Sequence, residues 1–123
     1  MPGKRQKTIK VNSHKEFGIR DIENILHELK KELENLYGKR LKKLILYGSH
    51  ARAEAWKDSD IDVVVLLDGE VLPGKEIDRM IDIITDLNLK YNVLLSVYPT
   101  SEESLQKVKS PLLLNIHREG VII

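Results

Sequence analysis

Residues 48 to 62 read Gly48-Ser49-His50-Ala51-Arg52-Ala53-Glu54-Ala55-Trp56-Lys57-Asp58-Ser59-Asp60-Ile61-Asp62. Gly48-Ser49 follows an apolar run, Leu44-Ile45-Leu46-Tyr47, and Asp60-Ile61-Asp62 opens another, Val63-Val64-Val65-Leu66-Leu67. Side chains alternate along a strand, so Asp60 and Asp62 share a face, with their backbones roughly 6–7 Å apart. Two carboxylates at that spacing can converge on one or two Mg²⁺ ions, hard cations that take oxygen ligands. A glycine lets backbone approach a phosphate closely, and the N–H groups of such a turn form a nest for anions. A phosphate grip next to a metal grip is the equipment of nucleotide chemistry.

Taken singly, Gly-Ser is an ordinary turn and Asp-x-Asp an ordinary solvated strand end. Their ordered combination, each half attached to an apolar strand, is specific. The stretch resembles the Gly-Ser-x10-Asp-x-Asp signature of the DNA polymerase β-type nucleotidyltransferase superfamily. The chain is most similar to its small stand-alone members, the minimal nucleotidyltransferases, over about residues 20 to 123.

The resemblance implies the nucleotidyltransferase fold and Mg²⁺-dependent (or Mn²⁺-dependent) transfer of a nucleoside monophosphate to a hydroxyl, with AMP from ATP favoured. It implies that Gly48 and Ser49 grip phosphate and that Asp60 and Asp62 are the metal ligands and catalytic carboxylates. Arg52 sits in the motif as a candidate phosphate contact, since a guanidinium neutralises developing charge, with a solvated surface cation as its plain alternative. Lys57 is a weaker candidate of the same kind. Ser59 joins the nucleotide-binding set as a residue that orients the carboxylates or caps the loop. Trp56 is assigned to packing under the loop rather than to base stacking, and His50 has no assigned role. His14 and His27 lack spaced partners and are expected at the surface.

The departure from the family pattern lies in the third strand. Active members supply a third carboxylate there, whereas this strand reads Asn92-Val93-Leu94-Leu95-Ser96-Val97-Tyr98. Ser96 or Leu94 stands where the acid is expected. That acid would deprotonate the attacking hydroxyl and complete a second metal's shell. Without it, the alternative is a catalytically idle nucleotide- and metal-binding antitoxin or interaction module, unless Glu102, Glu103 or a partner's residue substitutes.

The elements that must position these residues follow from periodicity. Ile22, Ile25, Leu26, Leu29, Leu33 and Leu36 form the apolar stripe of an amphipathic helix, with Gly38 as its stop. Leu41 to Tyr47 and Ile61 to Leu67 are strands, the second apolar on both faces beyond Asp62 and so covered on both sides. Asp68-Gly69 and Pro73-Gly74 are turn signals. Residues 75 to 90, with Ile77, Met80, Ile81, Ile84 and Leu87, form a second amphipathic helix. Val93 to Tyr98 is a third strand closed by Pro99. Ser101-Glu102-Glu103-Ser104 opens a short helix, Leu112 to Ile116 forms another, and Gly120 to Ile123 a last short strand. The order predicts one α/β (α+β) domain over residues 11 to 123, a small mixed sheet with helices packed against it. Residues 1 to 10 form a basic tail, with Thr8 to Val11 as a possible added strand.

Composition sets the boundaries of function. The 123 residues suffice for one core. A formal net charge of +1 provides no global field for nucleic acid, which is not expected as the main partner. The absence of cysteine removes thiolate metal sites and thiol catalysis. No apolar run reaches the ~18 residues of a membrane span, and the N-terminus lacks the apolar segment of a signal peptide, so a cytoplasmic location is expected. The resemblance implies partnership with a small helical HEPN-family protein in a toxin–antitoxin pair, with this chain the antitoxin and the toxin its acceptor. A homodimer neighbour is the other source of an acceptor site. A third class of reading, a response-regulator-like α/β domain with a structural or regulatory Asp pair, fits less well, because the first two strands are joined by the motif itself.

Overall fold

A computed structural model describes residues 19–51, 60–107, 116 and 118–123. Its elements in chain order are α1 (Ile19–Tyr37), a tight turn Gly38–Arg40, β1 (Leu41–Tyr47), α2 (Gly48–Ala51), β2 (Ile61–Leu67), α3 (Pro73–Tyr91), β3 (Leu95–Ser101), α4 (Glu102–Lys107) and β4 (Val121–Ile122). The basic tail, the Thr8–Val11 strand, most of the Leu112–Ile116 helix, His14, Arg52, Trp56, Lys57 and Ser59 lie outside the described residues.

The sheet has the order β3-β2-β1-β4. β1 runs antiparallel to β2 and β4, while β2 and β3 are parallel, joined by the α3 crossover. β2 is the most buried element, as its unbroken Val63–Leu67 run requires. Alternation divides it between two cores. Ile61, Val63, Val65 and Leu67 pack with Leu44, Leu46 and Leu95 under α1 and α3, whose stripes supply Ile22, Ile25, Leu26, Leu29, Leu33, Met80, Ile84 and Leu87. Val64 and Leu66 join Ile45, Leu105 of α4 and Ile116 on the opposite face. The predicted mixed sheet and the bounds of β1 and β2 are borne out.

Four details correct the sequence reading. Pro73-Gly74 is not a turn but the first turn of α3, with proline at the position where a missing N–H leaves no bond unmade. Pro99 does not close β3, which runs on to Ser101 with Pro99 fully buried. In the described sheet β3 is an edge strand, and there a proline breaks no ladder bond on the inner side. Leu36 and Ile81, assigned to apolar stripes, are 42% and 46% exposed because they flank rather than face the core. Glu76, on a helix whose charges should point outward, is buried. It accepts a hydrogen bond from Tyr37 Oη at 2.9 Å and pairs with Arg40 at 3.1 Å, tying α1, the start of β1 and α3 together at the end of the sheet away from the Asp pair.

Capping follows local chemistry. Gly38 ends α1 at φ +58°, and Asn92 ends α3 at φ +53°, donating its N–H to the Asn88 carbonyl. Ser101 Oγ accepts the Ser104 N–H at 3.0 Å, the N-cap expected from Ser-Glu-Glu-Ser. Among the described residues no helix is long and apolar enough to cross a membrane.

Candidate active site

The described ends of the motif, Gly48 and Asp60–Asp62, meet at the end of the sheet where β1 finishes and β2 and β3 begin. Tyr47, the last residue of β1, is the register partner of Asp62 on β2, and Asp62 is in turn the partner of Ser96 on β3. One row across the sheet therefore reads Tyr47, Asp62, Ser96. All three stand on the face of Val64 and Leu66, opposite α1 and α3. Asp62 is half-buried, and Asp60, just ahead of β2, is exposed. Asp60 directly precedes β2, and strand alternation carried back by one residue would set it on this same face.

Directly after Tyr47 the chain turns at Gly48 with φ +74° and enters α2. A β-carbon at Gly48 would collide with the Asp62 carboxylate, Oδ2 being the nearest atom. Glycine is thus required twice here, for the left-handed backbone and for the seat of the carboxylate. Ser49 lies in α2, its side chain outside the described set, as are Arg52 and Ser59 entirely.

Two neighbours were not foreseen from the sequence. The phenol of Tyr47 is held above its ordinary range by burial first, then by the Asp62 charge and by Tyr98. It is a protonated donor at neutral pH. Tyr98 shares its face, one position along β3 beyond Ser96 and Val97. The signal was present in the sequence, since Tyr47 ends the strand that feeds Gly48, but its pairing with Asp62 depends on strand register.

Register also resolves the choice for the position of the missing acid. Ser96 is level with Asp62, while Leu94 lies before β3, exposed, its carbonyl accepting the Ile61 N–H at 2.9 Å. Among the described residues no three His, Asp or Glu side chains come together to hold a metal unaided. Two carboxylates nevertheless suit Mg²⁺, which is commonly held by one or two protein carboxylates and takes its other oxygens from phosphate and water. The donor set is all oxygen and fits that ion.

Comparison with known proteins agrees with this arrangement. The model of the nucleotidyltransferase domain family matches residues 26–116. A candidate protein adenylyltransferase of Methanocaldococcus jannaschii is 34% identical over 102 residues, covering 82% of this chain and 96% of that protein. The protein adenylyltransferase MntA of Thermococcus cleftensis is 42% identical over 56 residues, covering 46% of this chain and 52% of that protein. Among solved structures, a toxin–antitoxin crystal structure with AMP-PNP has the same fold, at a TM-score of 0.57 and 17% identity over 81% of this chain and 70% of that one. With its motif, fold and relatives in agreement, the chain belongs to the nucleotidyltransferase domain family.

Proposed function

We propose that the chain transfers AMP from ATP to a hydroxyl of a protein acceptor. The observation that carries this reading is the Asp62 carboxylate seated against the Gly48 turn, with the exposed Asp60 two residues ahead of it. In this reading that contact would bring a phosphate-binding turn beside a metal-binding carboxylate. The names of the relatives, protein adenylyltransferases, support AMP as the transferred group and protein as the acceptor.

In this reading the N–H groups at Gly48 and Ser49 take the phosphates, and Arg52 and Ser59 contact the same triphosphate. Asp60 and Asp62 would hold Mg²⁺, which would supply positive charge to the triphosphate. The acceptor oxygen attacks the α-phosphorus, the bond from that phosphorus to the β-bridging oxygen breaks, and pyrophosphate leaves with the electron pair. The acceptor's proton passes to a base outside the Tyr47-Asp62-Ser96 row, since Asp62 would be engaged as a metal ligand and Ser96 is not basic. An acceptor protein that brings its own carboxylate supplies that base.

The partner expected from the resemblance is a HEPN-family toxin, with this chain as its antitoxin in the cytoplasm. A toxin–antitoxin structure of the same fold supports that setting. Ser96 level with Asp62 favours a second reading, an antitoxin that binds metal and nucleotide without turnover.

Calorimetric titration of ATP, with and without Mg²⁺, followed by incubation of the chain and its purified partner with α-labelled ATP, tests both. Metal-dependent binding and label on the partner are expected. Binding without label selects the idle module, and absence of binding removes both readings.

A further inference from the structure

We infer that Lys4, Arg5, Lys7 and Lys10 contact the phosphates of a nucleotide bound at the Gly48 turn, supplying the site with cations that the folded domain keeps elsewhere. This rests on the nucleotide-binding reading above. These four are the charged side chains of residues 1–10 and give that segment +4; the whole chain carries +1, so residues 11–123 carry −3. The segment lies outside the described residues, but the start of α1, to which it leads, does not. Glu28 of α1 accepts hydrogen bonds from Lys90 Nζ at 2.9 Å and Tyr91 Oη at 2.6 Å, at the end of α3. Tyr37, at the end of α1, bonds to Glu76 near the start of α3. The two helices are therefore antiparallel. α3 ends at Tyr91, four residues before Leu95, the register partner of Ile61 beside Asp62. Ile19, the first residue of α1, stands nine residues ahead of Glu28, about 13 Å further along the helix axis in the same direction. The chain thus enters α1 at the end of the domain that carries Gly48, Asp60 and Asp62.

Six described cations gather at the other end. Lys39, Arg40, Lys42 and Lys43 lie at the start of β1 and Lys75 and Arg79 at the start of α3, with the seven residues of β1, about 20 Å, between that end and Gly48. Two are committed there, since Arg40 and Arg79 pair with Glu76 at 3.1 and 3.4 Å. At the site end, among the described residues, Lys90 is held by both oxygens of Glu28 at 2.9 Å, and Arg118 stands ahead of β4. Asp60 and Asp62 alone would match the charge of one Mg²⁺, so the charge of the triphosphate is left to other cations. Beyond the motif's own Arg52 and Lys57, residues 1–10 are where the chain concentrates them. Lys10 is nine residues from Ile19, a span of up to about 30 Å, so reach does not prevent the contact. A polyphosphate suits such a segment, because an ammonium binds phosphate as a point charge and needs no fixed geometry.

The test is amide NMR of the full isotope-labelled chain with Mn²⁺ and a non-hydrolysable ATP analogue, the paramagnetic ion broadening signals near it. Those of residues 4–10 should broaden together with those of Gly48 and Asp62, and should recover first as salt rises, since exposed charge pairs are screened. The quadruple variant Lys4→Gln/Arg5→Gln/Lys7→Gln/Lys10→Gln should bind the Mg²⁺ complex of the analogue about tenfold more weakly at low salt, the scale of several exposed charge pairs, with its melting temperature unchanged. Lys39→Gln/Lys42→Gln/Lys43→Gln, which removes charge from the far end, should leave the affinity as it is. Broadening confined to the motif, full affinity in the quadruple variant, or an equal loss in both variants would overturn the inference while nucleotide binding stands. Failure of the Mn²⁺ complex to broaden Gly48 and Asp62 would instead remove the underlying reading, and this one with it.

Discussion

Gly48 and Asp62 occupy each other's space: the β-carbon that any other residue would add at position 48 lands on the Asp62 carboxylate. Motif glycine and motif aspartate are therefore one structural unit, although thirteen residues separate their positions in the chain. Gly48→Ala must strain a backbone at φ +74° and also push Asp62 from its seat. Each positive-φ strain of this kind costs on the order of 1–3 kcal/mol. The expected outcome is a lower melting temperature together with loss of Mg²⁺-dependent ATP binding. A variant that melts early yet binds normally would show that the seat of Asp62 is immaterial.

Asp60 and Asp62 should separate by stability and not by function. Asp60 is exposed, so Asp60→Asn should leave the melting temperature unchanged, whereas the half-buried Asp62 can shift it. Either change should lower AMP transfer by more than about 100-fold, beyond the 10–100-fold typical of residues one layer out from a metal. Transfer assays at saturating Mg²⁺, read beside thermal melts, check both halves of this expectation.

Ser96→Asp places a carboxylate level with Asp62 on the neighbouring strand. If the missing base limits the chain's own turnover, transfer to a peptide acceptor should rise, and the Mg²⁺ requirement should shift to lower concentration. The like charges would also raise one carboxyl's pKa, so activity should fall off at a higher pH on the acid side than in the parent. A pH–rate profile of both proteins decides the matter. An unchanged profile and rate would mean that the acceptor side supplies the base already.

Away from the site, the buried Glu76 predicts a two-sided pH dependence of stability. Burial raises its pKa, but hydrogen bonds from Tyr37 and Arg40 and the charges of Arg40 and Arg79 outweigh it, and the net shift is below the ordinary 4.5. A depressed carboxyl stabilises the fold above its unfolded pKa and loses that contribution as pH falls through the folded value. Tyr37, pushed up to about 12 by burial and by its bond to Glu76, behaves oppositely. Its contribution is present below the unfolded value of about 10 and is lost as pH rises toward the folded one. Arg40→Ala, which leaves the buried carboxylate with Tyr37 and the half-exposed Arg79, should cost about 3 kcal/mol. Urea unfolding across pH measures all three.

Asn88→Ala removes the acceptor of the Leu95 N–H and should destabilise by about 1–2 kcal/mol. Hydrogen exchange at the Leu95 amide reports the loosening directly.

The elements, and the chemistry each carries, are legible in local residue pattern. Periods of 3.6 and 2 are written in neighbouring residues, so the α1 stripe from Ile22 to Leu33 and the bounds of β1 and β2 were legible without coordinates. Stops and caps at Gly38 and Ser101 were legible for the same reason, being local choices of backbone and side chain. What depends on strands meeting came from packing alone. Whether Ser96 or Leu94 faces Asp62 is a question of parallel register, set by the α3 crossover and the cores on both faces. That Tyr47 lies beside Asp62, that Asp62 rests on Gly48, that Pro99 stands inside an edge strand, and that Glu76 is buried against Tyr37 and Arg40 are contacts between distant segments. No local pattern encodes them, because the free energy that selects them is the burial of whole faces rather than the preference of any one residue.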